Sequence, residues 1–438
     1  MKDVLYEVEG EIVKQLTGKF ATVTNPARRK ALITYAAKTI DPNISDDEIA
    51  EIEKDLDDFY PIKDVLGDQY IEDIMVNNTE NIFVYDSRKG EEKLDVKIKN
   101  KEELDRFVNK LKLYATNQTA KGNILDVHLP TGSRANIVAS PIGYDITIRN
   151  FRGKALSIID LINAGEFDYQ IAARLWLYVD GFSVRPANMM ISGMPASGKT
   201  TLLNAMFSFF RPDARIVTIE ETYELNTETQ DNCVRLETSE EMPLEALVKN
   251  ALRMRPDMII IGEVRGAEAN DMITAMNIGK IVMGTIHASS ARDVINRLEH
   301  TPMNVPRDIL PVIDSIIVIS QVYENGVPQR KIVQMSEISG IETQILLSDL
   351  FKFDYKTHQS MPILPSVTYR DTISKLIGVV PQDILAEEQV RASVLMAMNK
   401  MGIRDLRSIN EMVKEYYDSP ETALNKLGLG HLHPIIRV

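Results

Sequence analysis

Eight consecutive residues, Gly193-Met194-Pro195-Ala196-Ser197-Gly198-Lys199-Thr200, bring together the groups that a polyphosphate requires. The two glycines let the backbone turn so that its N–H groups converge on one anion. Lys199 supplies a positive charge for β- and γ-phosphate oxygens, and Thr200 offers its hydroxyl to Mg²⁺. Pro195, Ala196 and Ser197 complete the turn, and Thr201 extends the donor set into a helix whose positive N-terminal end faces the same charge. The apolar run Met189 to Ser192 reads as a buried strand feeding the loop, which is the context the chemistry needs. ATP with Mg²⁺ is the ligand pair this pattern implies.

Phosphoryl transfer also needs a carboxylate that holds Mg²⁺ through water or orients the attacking water. Glu263 closes the strand-like run Met258-Ile259-Ile260-Ile261-Gly262, where an unpartnered carboxylate would be costly to bury, so it is the first candidate. Glu220 and Glu221 follow a second such run, Arg215 to Ile219, and either can poise water or join a Mg²⁺ shell. His287 follows the run Lys280 to Ile286. Its imidazole can sense the γ-phosphate and relay its loss, or serve as a hydrogen-bonded structural histidine. Arg253, Arg255 and Arg265 surround the Glu263 strand and can supply planar positive charge, in the same or a neighbouring subunit. An arginine so placed contributes about 10³ to 10⁵ in rate; the sequence leaves open which of the three reaches a phosphate.

These residues must be positioned by an α/β domain. From Asn188 onward, short apolar runs (Met189 to Ser192, Arg215 to Ile219, Met258 to Ile261, Ile281 to Thr285, Ser315 to Ile319) alternate with helical segments, which predicts a parallel sheet with helices on both faces. Upstream, Ser45 and Glu48 form a capping box for a helix with Ile49, Ile52, Leu56 and Phe59 on one face. A strand from Ile82 to Tyr85, a second amphipathic helix from Glu102 to Tyr114 and an alternating strand from Asp145 to Phe151 follow. The organisation predicted is an extension over 1–44, an α+β domain over 45–151, a hinge over 152–166, a P-loop domain over 167–340 and a mainly helical region over 341–438. The hinge leads to a helix from about Phe167 to Val179; helices in the tail are expected at Asp383 to Lys400, Asp405 to Tyr416 and Pro420 to Leu427.

Composition narrows the function. The 438 residues carry a net charge of −13, but Ser45 to Phe59 and Glu220 to Glu241 each hold eight acids against one base, so the remainder nets +1. Clustered Lys and Arg, which phosphate neutralisation along a nucleic acid would need, are not evident, and no direct nucleic-acid partner is expected. The longest apolar stretches fall far short of the roughly 20 residues that cross a bilayer. The first ten residues lack a signal peptide's apolar core, so the chain is expected to remain where it is made. The single cysteine, Cys233, permits neither an internal disulfide nor a tetracysteine zinc site.

Four boxes in fixed order resemble the type II and type IV secretion ATPase superfamily, and most closely its archaeal branch, which powers archaellum and type IV pilus assembly. Gly193 to Thr200 looks like the family's Walker A, Ile216 to Leu225 (IVTIEETYEL) like its Asp box, Arg253 to Gly266 (RMRPDMIIIGEVRG) like its Walker B region and Gly284 to Ala291 (GTIHASSA) like its His box. Ile71 to Ile74, Leu129 to Arg134 and Thr147 to Arg149 resemble its amino-terminal domain, and Pro302 to Pro306 an archaeal signature. Two positions depart from the pattern. Glu221 stands where the Asp box commonly has Asp, and Lys280 where the His box has a first histidine; a protonated lysine donates but cannot accept. Bacterial members of the pilus and type II branch often carry a tetracysteine zinc element, which one cysteine rules out here.

The resemblance implies a RecA-like P-loop NTPase domain with an α+β amino-terminal domain and a helical carboxy-terminal tail. It implies a homo-oligomer, a hexameric ring, with ATP between the two domains and Arg134 and Arg149 reaching the nucleotide from the amino-terminal one. Hydrolysis would change the angle between the domains. The ring would work in the cytoplasm, held peripherally at the inner face of the membrane by a polytopic platform protein, and move pilin-like subunits into or out of a filament, or drive secretion. Translocation of DNA or protein through a channel is the alternative within the motor class. A scaffold that binds ATP and barely turns it over is the alternative outside it.

Overall fold

A computed structural model of the chain describes residues 2–17, 23, 25–68, 70–86, 88–115, 123–129, 132–150, 155–211, 213–239, 241–324 and 327–434. The chain divides into two units, residues 1–154 and 155–438. Pro130 and Thr131 of the loop before Arg134, Phe151 and hinge positions 152–154 lie outside the described residues.

The first unit is built on an antiparallel sheet of six strands: β1 (Ile71–Val76), β2 (Ile82–Asp86), β3 (Gly90–Lys93), β4 (Ile124–His128), β5 (Arg134–Ser140) and β6 (Gly143–Arg149). Their order is β3-β2-β1-β6-β5-β4. Period-two alternation sends Ile74, Val76, Val84, Val127, Ile137 and Ile148 to one buried face. Helix Asp46–Leu56 starts on the capping box read from the sequence: Ser45 Oγ accepts from the Glu48 N–H at 3.2 Å, and the Ser45 N–H donates to Glu48 Oε2 at 2.9 Å. Its acidic face is only partly given to solvent. Asp55 Oδ2 receives Arg106 and Lys110, each at 3.0 Å, and Asp57 Oδ1 receives Arg29 at 2.8 Å. The segment read as an extension contributes helices Lys2–Leu16 and Pro26–Ile40, whose Ile12, Leu16 and Ile33 belong to the same core.

The second unit holds nine strands: β7 (Met189–Ser192), β8 (Ile216–Glu220), β9 (Cys233–Glu237), β10 (Met258–Val264), β11 (Ile281–Ile286), β12 (Ser315–Glu324), β13 (Val327–Ile341), β14 (Ile345–Asp354) and β15 (Gln359–Pro362). The order is β15-β14-β13-β12-β7-β11-β10-β8-β9, parallel from β12 to β9 and antiparallel from β12 to β15. Alternation divides these strands between two cores. Met189, Ile191, Ile260, Met283 and Ile317 face one; Met190, Val217, Ile259, Val282 and Ile316 face the other. This is the doubly covered parallel sheet that continuous apolar runs demand.

Three features differ from the sequence reading. The segment read as a hinge contains the capped helix Ile158–Asn163, whose Ile158, Ile159 and Leu161 lie in the second unit's core. The helix after it begins at Tyr169, because Asp168 caps the Ile171 N–H at 2.9 Å. Beyond Ile341 the chain first makes β14 and β15, and helices begin only at Thr368: Thr368–Ile377, Pro381–Lys400, Leu406–Asp418 and Pro420–Lys426. Without β14, β13 would be an edge strand with unpaired backbone groups; pairing with β14 satisfies them.

Candidate functional site

Because β7 lies between β11 and β12, the loop after it emerges at the carboxyl ends of the central parallel strands, the usual ligand crevice of an α/β sheet. Two glycines shape that loop. A Cβ on Gly193 would come within 2.3 Å of Ser197 Oγ and 2.4 Å of the Ile319 carbonyl oxygen, so no side chain fits. Gly198 has φ +100°, in the left-handed region that glycine adopts freely. Helix Lys199–Met206 then starts without a side-chain cap. Its first N–H groups therefore lack a side-chain acceptor, and Ser197 Oγ is buried without a hydrogen-bond partner. An uncapped helix start and an orphaned hydroxyl in one cradle fit a polyphosphate.

Lys199 is buried across this cradle. Its Nζ donates to the carbonyls of Gly193 at 2.9 Å and Met194 at 3.1 Å, and lies 3.3 Å from His287 Nδ1. On the other side of the ring, His287 Nε2 sits 2.7 Å from Glu263 Oε1. Arg265 then closes on Glu263 with Nε to Oε1 at 2.6 Å and a terminal nitrogen to Oε2 at 2.8 Å, while its second terminal nitrogen reaches Glu221 Oε2 at 3.0 Å. One line of charge thus runs Lys199, His287, Glu263, Arg265, Glu221. It fits a neutral imidazole that accepts from lysine at Nδ1 and donates to glutamate from Nε2. Three of roughly four acceptor positions on the Glu263 carboxylate are taken, which leaves room for one water or ion.

The electrostatics follow from that line. Burial lowers the His287 pKa, and the Lys199 ammonium lowers it further, against the pull of Glu263. Burial also lowers the Lys199 pKa, against the attraction of Glu263. For Glu263, burial alone would raise the pKa, but the Arg265 hydrogen bonds with His287 and Lys199 outweigh it and hold the carboxyl below its usual range.

The two acids of the second box differ. Glu220 is buried: Oε1 accepts the backbone N–H groups of Glu224 at 2.8 Å and Leu225 at 2.9 Å, and Oε2 has no hydrogen-bond partner. Burial raises its pKa despite those bonds. Glu220 thus shapes the loop after β8 with one oxygen, while the other lies 3.7 Å from a terminal nitrogen of Arg235 in an ion pair. Glu221 is half exposed and faces Arg265. A Mg²⁺ ion beside bound phosphates would need one or two protein groups and would keep several waters; Thr200, Glu263 and Glu221 are of the right chemistry.

The arginines separate by position. Arg265 joins the site, whereas Arg253 and Arg255 are exposed and precede β10 at the far end of the sheet, Met258 to Glu263 spanning about 17 Å. In the first unit, Arg134 and Arg149 are register partners on β5 and β6; Arg134 pairs with Asp126 at 3.4 Å and Arg149 with Asp73 at 3.7 Å. Sequence reasoning did not single out Arg297, which donates to the His287 carbonyl from the next helix, nor Gln321, whose Nε2 lies 3.4 Å from the Ala196 carbonyl. Only the fold brings either to the loop, so no local spacing announces them.

Residues 55–336 match the family described as Type II/IV secretion system protein. A protein of Methanocaldococcus jannaschii is 31% identical over 397 residues, covering 86% of this chain and 71% of the relative. A probable conjugal transfer protein, TrbB of Sinorhizobium fredii, is 32% identical over 212 residues, covering 46% of this chain and 62% of that one. Among solved structures, the pilus retraction motor PilT with bound ADP is 16% identical, covers 80% of this chain and 95% of its own, and has a TM-score of 0.48. The family match runs from the first unit into β13 and takes in the loop and all the acids around it. The chain belongs to the Type II/IV secretion system protein family.

Proposed function

We propose that this protein is the ATP-hydrolysing motor of a filament-assembly or secretion machine. The observation that carries the reading is the line from Lys199 through His287 to Glu263 and Arg265, set against a phosphate cradle with an uncapped helix start. Lys199 neutralises the terminal phosphates, and bound Mg²⁺ would supply further charge neutralisation with Thr200 and an acid as its protein ligands. Glu263 orients the attacking water. His287 touches both Lys199 and Glu263, so a change at the phosphates reaches the carboxylate and, through the Arg297 contact, the next helix. Glu220 braces the neighbouring loop.

The motor is a homo-oligomeric ring, a hexamer, in which Arg134, Arg149, Arg253 and Arg255 act on nucleotide from another domain or subunit. Its reach to the membrane is indirect: among the described residues no helix is long and apolar enough to cross a bilayer, so a polytopic platform protein anchors it and pilin-like subunits are its cargo. Sizing of purified protein with and without ATP, combined with turnover in Mg²⁺, tests this. A ring with Mg²⁺-dependent turnover supports it. Turnover stimulated by DNA, with strongly salt-dependent DNA binding, would replace filament assembly by translocation. Nucleotide binding without measurable turnover would make the protein a regulated scaffold.

A further inference from the structure

The cradle has two flanks, and the chemistry assigned above occupies only one. Along the sheet the order is β10, β11, β7, β12, β13. Glu263 stands on β10 and His287 follows β11, so the end of the nucleotide that is cleaved faces that flank. At about 4.8 Å per strand, β12 and β13 lie on the opposite side of the loop, where the α-phosphate and nucleoside must extend.

That flank is built. β12 continues past Ile319, whose carbonyl already abuts Gly193, and returns as β13 in antiparallel register. Gln321 and Arg330 are direct partners across the hairpin, so their side chains share one face. Both reach the phosphate loop. Gln321 Nε2 lies 3.4 Å from the Ala196 carbonyl, and a Cβ placed on Gly198 would meet Arg330 Cδ at 3.1 Å and Nε at 3.7 Å. The Arg330 stem thus lies over the glycine that precedes Lys199. Behind it sits the buried Glu166, whose carboxyl burial pushes up to about 7 against the pull of Arg330 and Lys331.

We infer that Arg330, the register partner of Gln321 across the hairpin, is a nucleotide-positioning residue that contacts the α-phosphate. This rests on the nucleotide reading above. A guanidinium on the α-phosphate side binds a group common to ATP and ADP, so it contributes to affinity for both and little to the chemical step. An arginine directed at the γ-phosphate would do the reverse.

The test is equilibrium binding of ADP and of a non-hydrolysable ATP analogue, with steady-state kinetics, on wild-type protein and the substitutions Arg330→Met, Arg330→Ala and Arg330→Lys. Arg330→Met keeps the stem over Gly198 and removes the charge. The expected result is an affinity loss of about tenfold for both nucleotides in Arg330→Met and Arg330→Ala, partial recovery in Arg330→Lys, a raised KM and a kcat within about twofold of wild type. Wild-type affinity in Arg330→Met would reduce the residue to a packing role and overturn the inference alone. A loss confined to the ATP analogue with a collapse of kcat would move the contact to the γ-phosphate and overturn it too. Wild-type protein that binds neither nucleotide would overturn the nucleotide reading together with this one.

Discussion

Two networks of charge occupy the second unit, and they are built on opposite plans. At the phosphate loop, Lys199, His287, Glu263, Arg265 and Glu221 form an open line whose outer members are more than half or nearly half exposed, at 57% and 49% for Arg265 and Glu221. In the helical tail, Arg391 is sealed: it donates to Asp180 at 3.0 Å and to Glu387 at 3.1 Å, and lies over the rings of Trp176 and Phe182, each at 5.0 Å. Tyr416 adds a hydrogen bond to Glu387 at 2.8 Å, and nearby Arg174 pairs with Glu388. In the sealed network, charges satisfy one another and fix helix Pro381–Lys400 against helix Tyr169–Asp180. The open one leaves a carboxylate position and a cradle uncommitted. A charge that is paired and sealed holds structure; a charge that is paired and still reachable by a ligand is available for chemistry.

The sharpest way to break this contrast is at the open network. Lys199→Ala or Glu263→Gln is expected to cut turnover by about a thousandfold while leaving the denaturant midpoint close to wild type. A large loss of stability in either would place them with the sealed group. Next in size, Arg391→Ala removes one partner from a buried set and should destabilise the fold by about 3–5 kcal/mol, read from denaturant unfolding, with turnover per folded molecule unchanged. Defective turnover in the still-folded fraction would show that the sealed network also serves the site.

A smaller effect, about tenfold, concerns pH. Burial and Lys199 depress the His287 pKa, so below its ordinary value of 6.5 the unfolded chain binds a proton that the folded chain resists. The stability tied to the neutral ring is therefore complete above 6.5 and lost as pH falls through the depressed folded value. Glu263 has the same sign in a lower window, below its ordinary 4.5. Turnover, set by the folded ring, should hold at 6.5 and fall only as pH drops through the depressed His287 value, and His287→Gln should be slower by about tenfold and lack that limb. An unaltered profile in His287→Gln would remove the ring from the line. The smallest effect is expected at the exposed pair Lys249 and Glu245, whose loss should leave both the denaturant midpoint and turnover at their wild-type values.

The open network was far more legible in the sequence than the sealed one. A phosphate cradle is made by contiguous residues, so Gly193 to Thr200 displays it in one reading frame, and Glu263 stands out because a carboxylate ends an apolar run. Arg391 and Asp180 are 211 residues apart, and nothing local marks either as half of a pair. Gln321 and Arg330 were hidden for a related reason: only the hairpin register puts them opposite each other. In β14 the reading favoured helix, yet Ile345–Asp354 is held in a sheet by its neighbours on both sides. Within the second box, Glu220 and Glu221 look equivalent as letters and differ because burial and two backbone N–H groups claim the first.

The central claim is that Glu263 acts on water beside bound ATP, and Glu263→Gln tests it most directly. Its amide keeps the size of the side chain and removes its charge. Measured by nucleotide binding and single-turnover hydrolysis in Mg²⁺, Glu263→Gln should bind ATP with wild-type affinity within a few fold and hydrolyse it about a thousandfold more slowly. Undiminished hydrolysis in Glu263→Gln, or wild-type protein that binds ATP and releases no phosphate, would contradict the account.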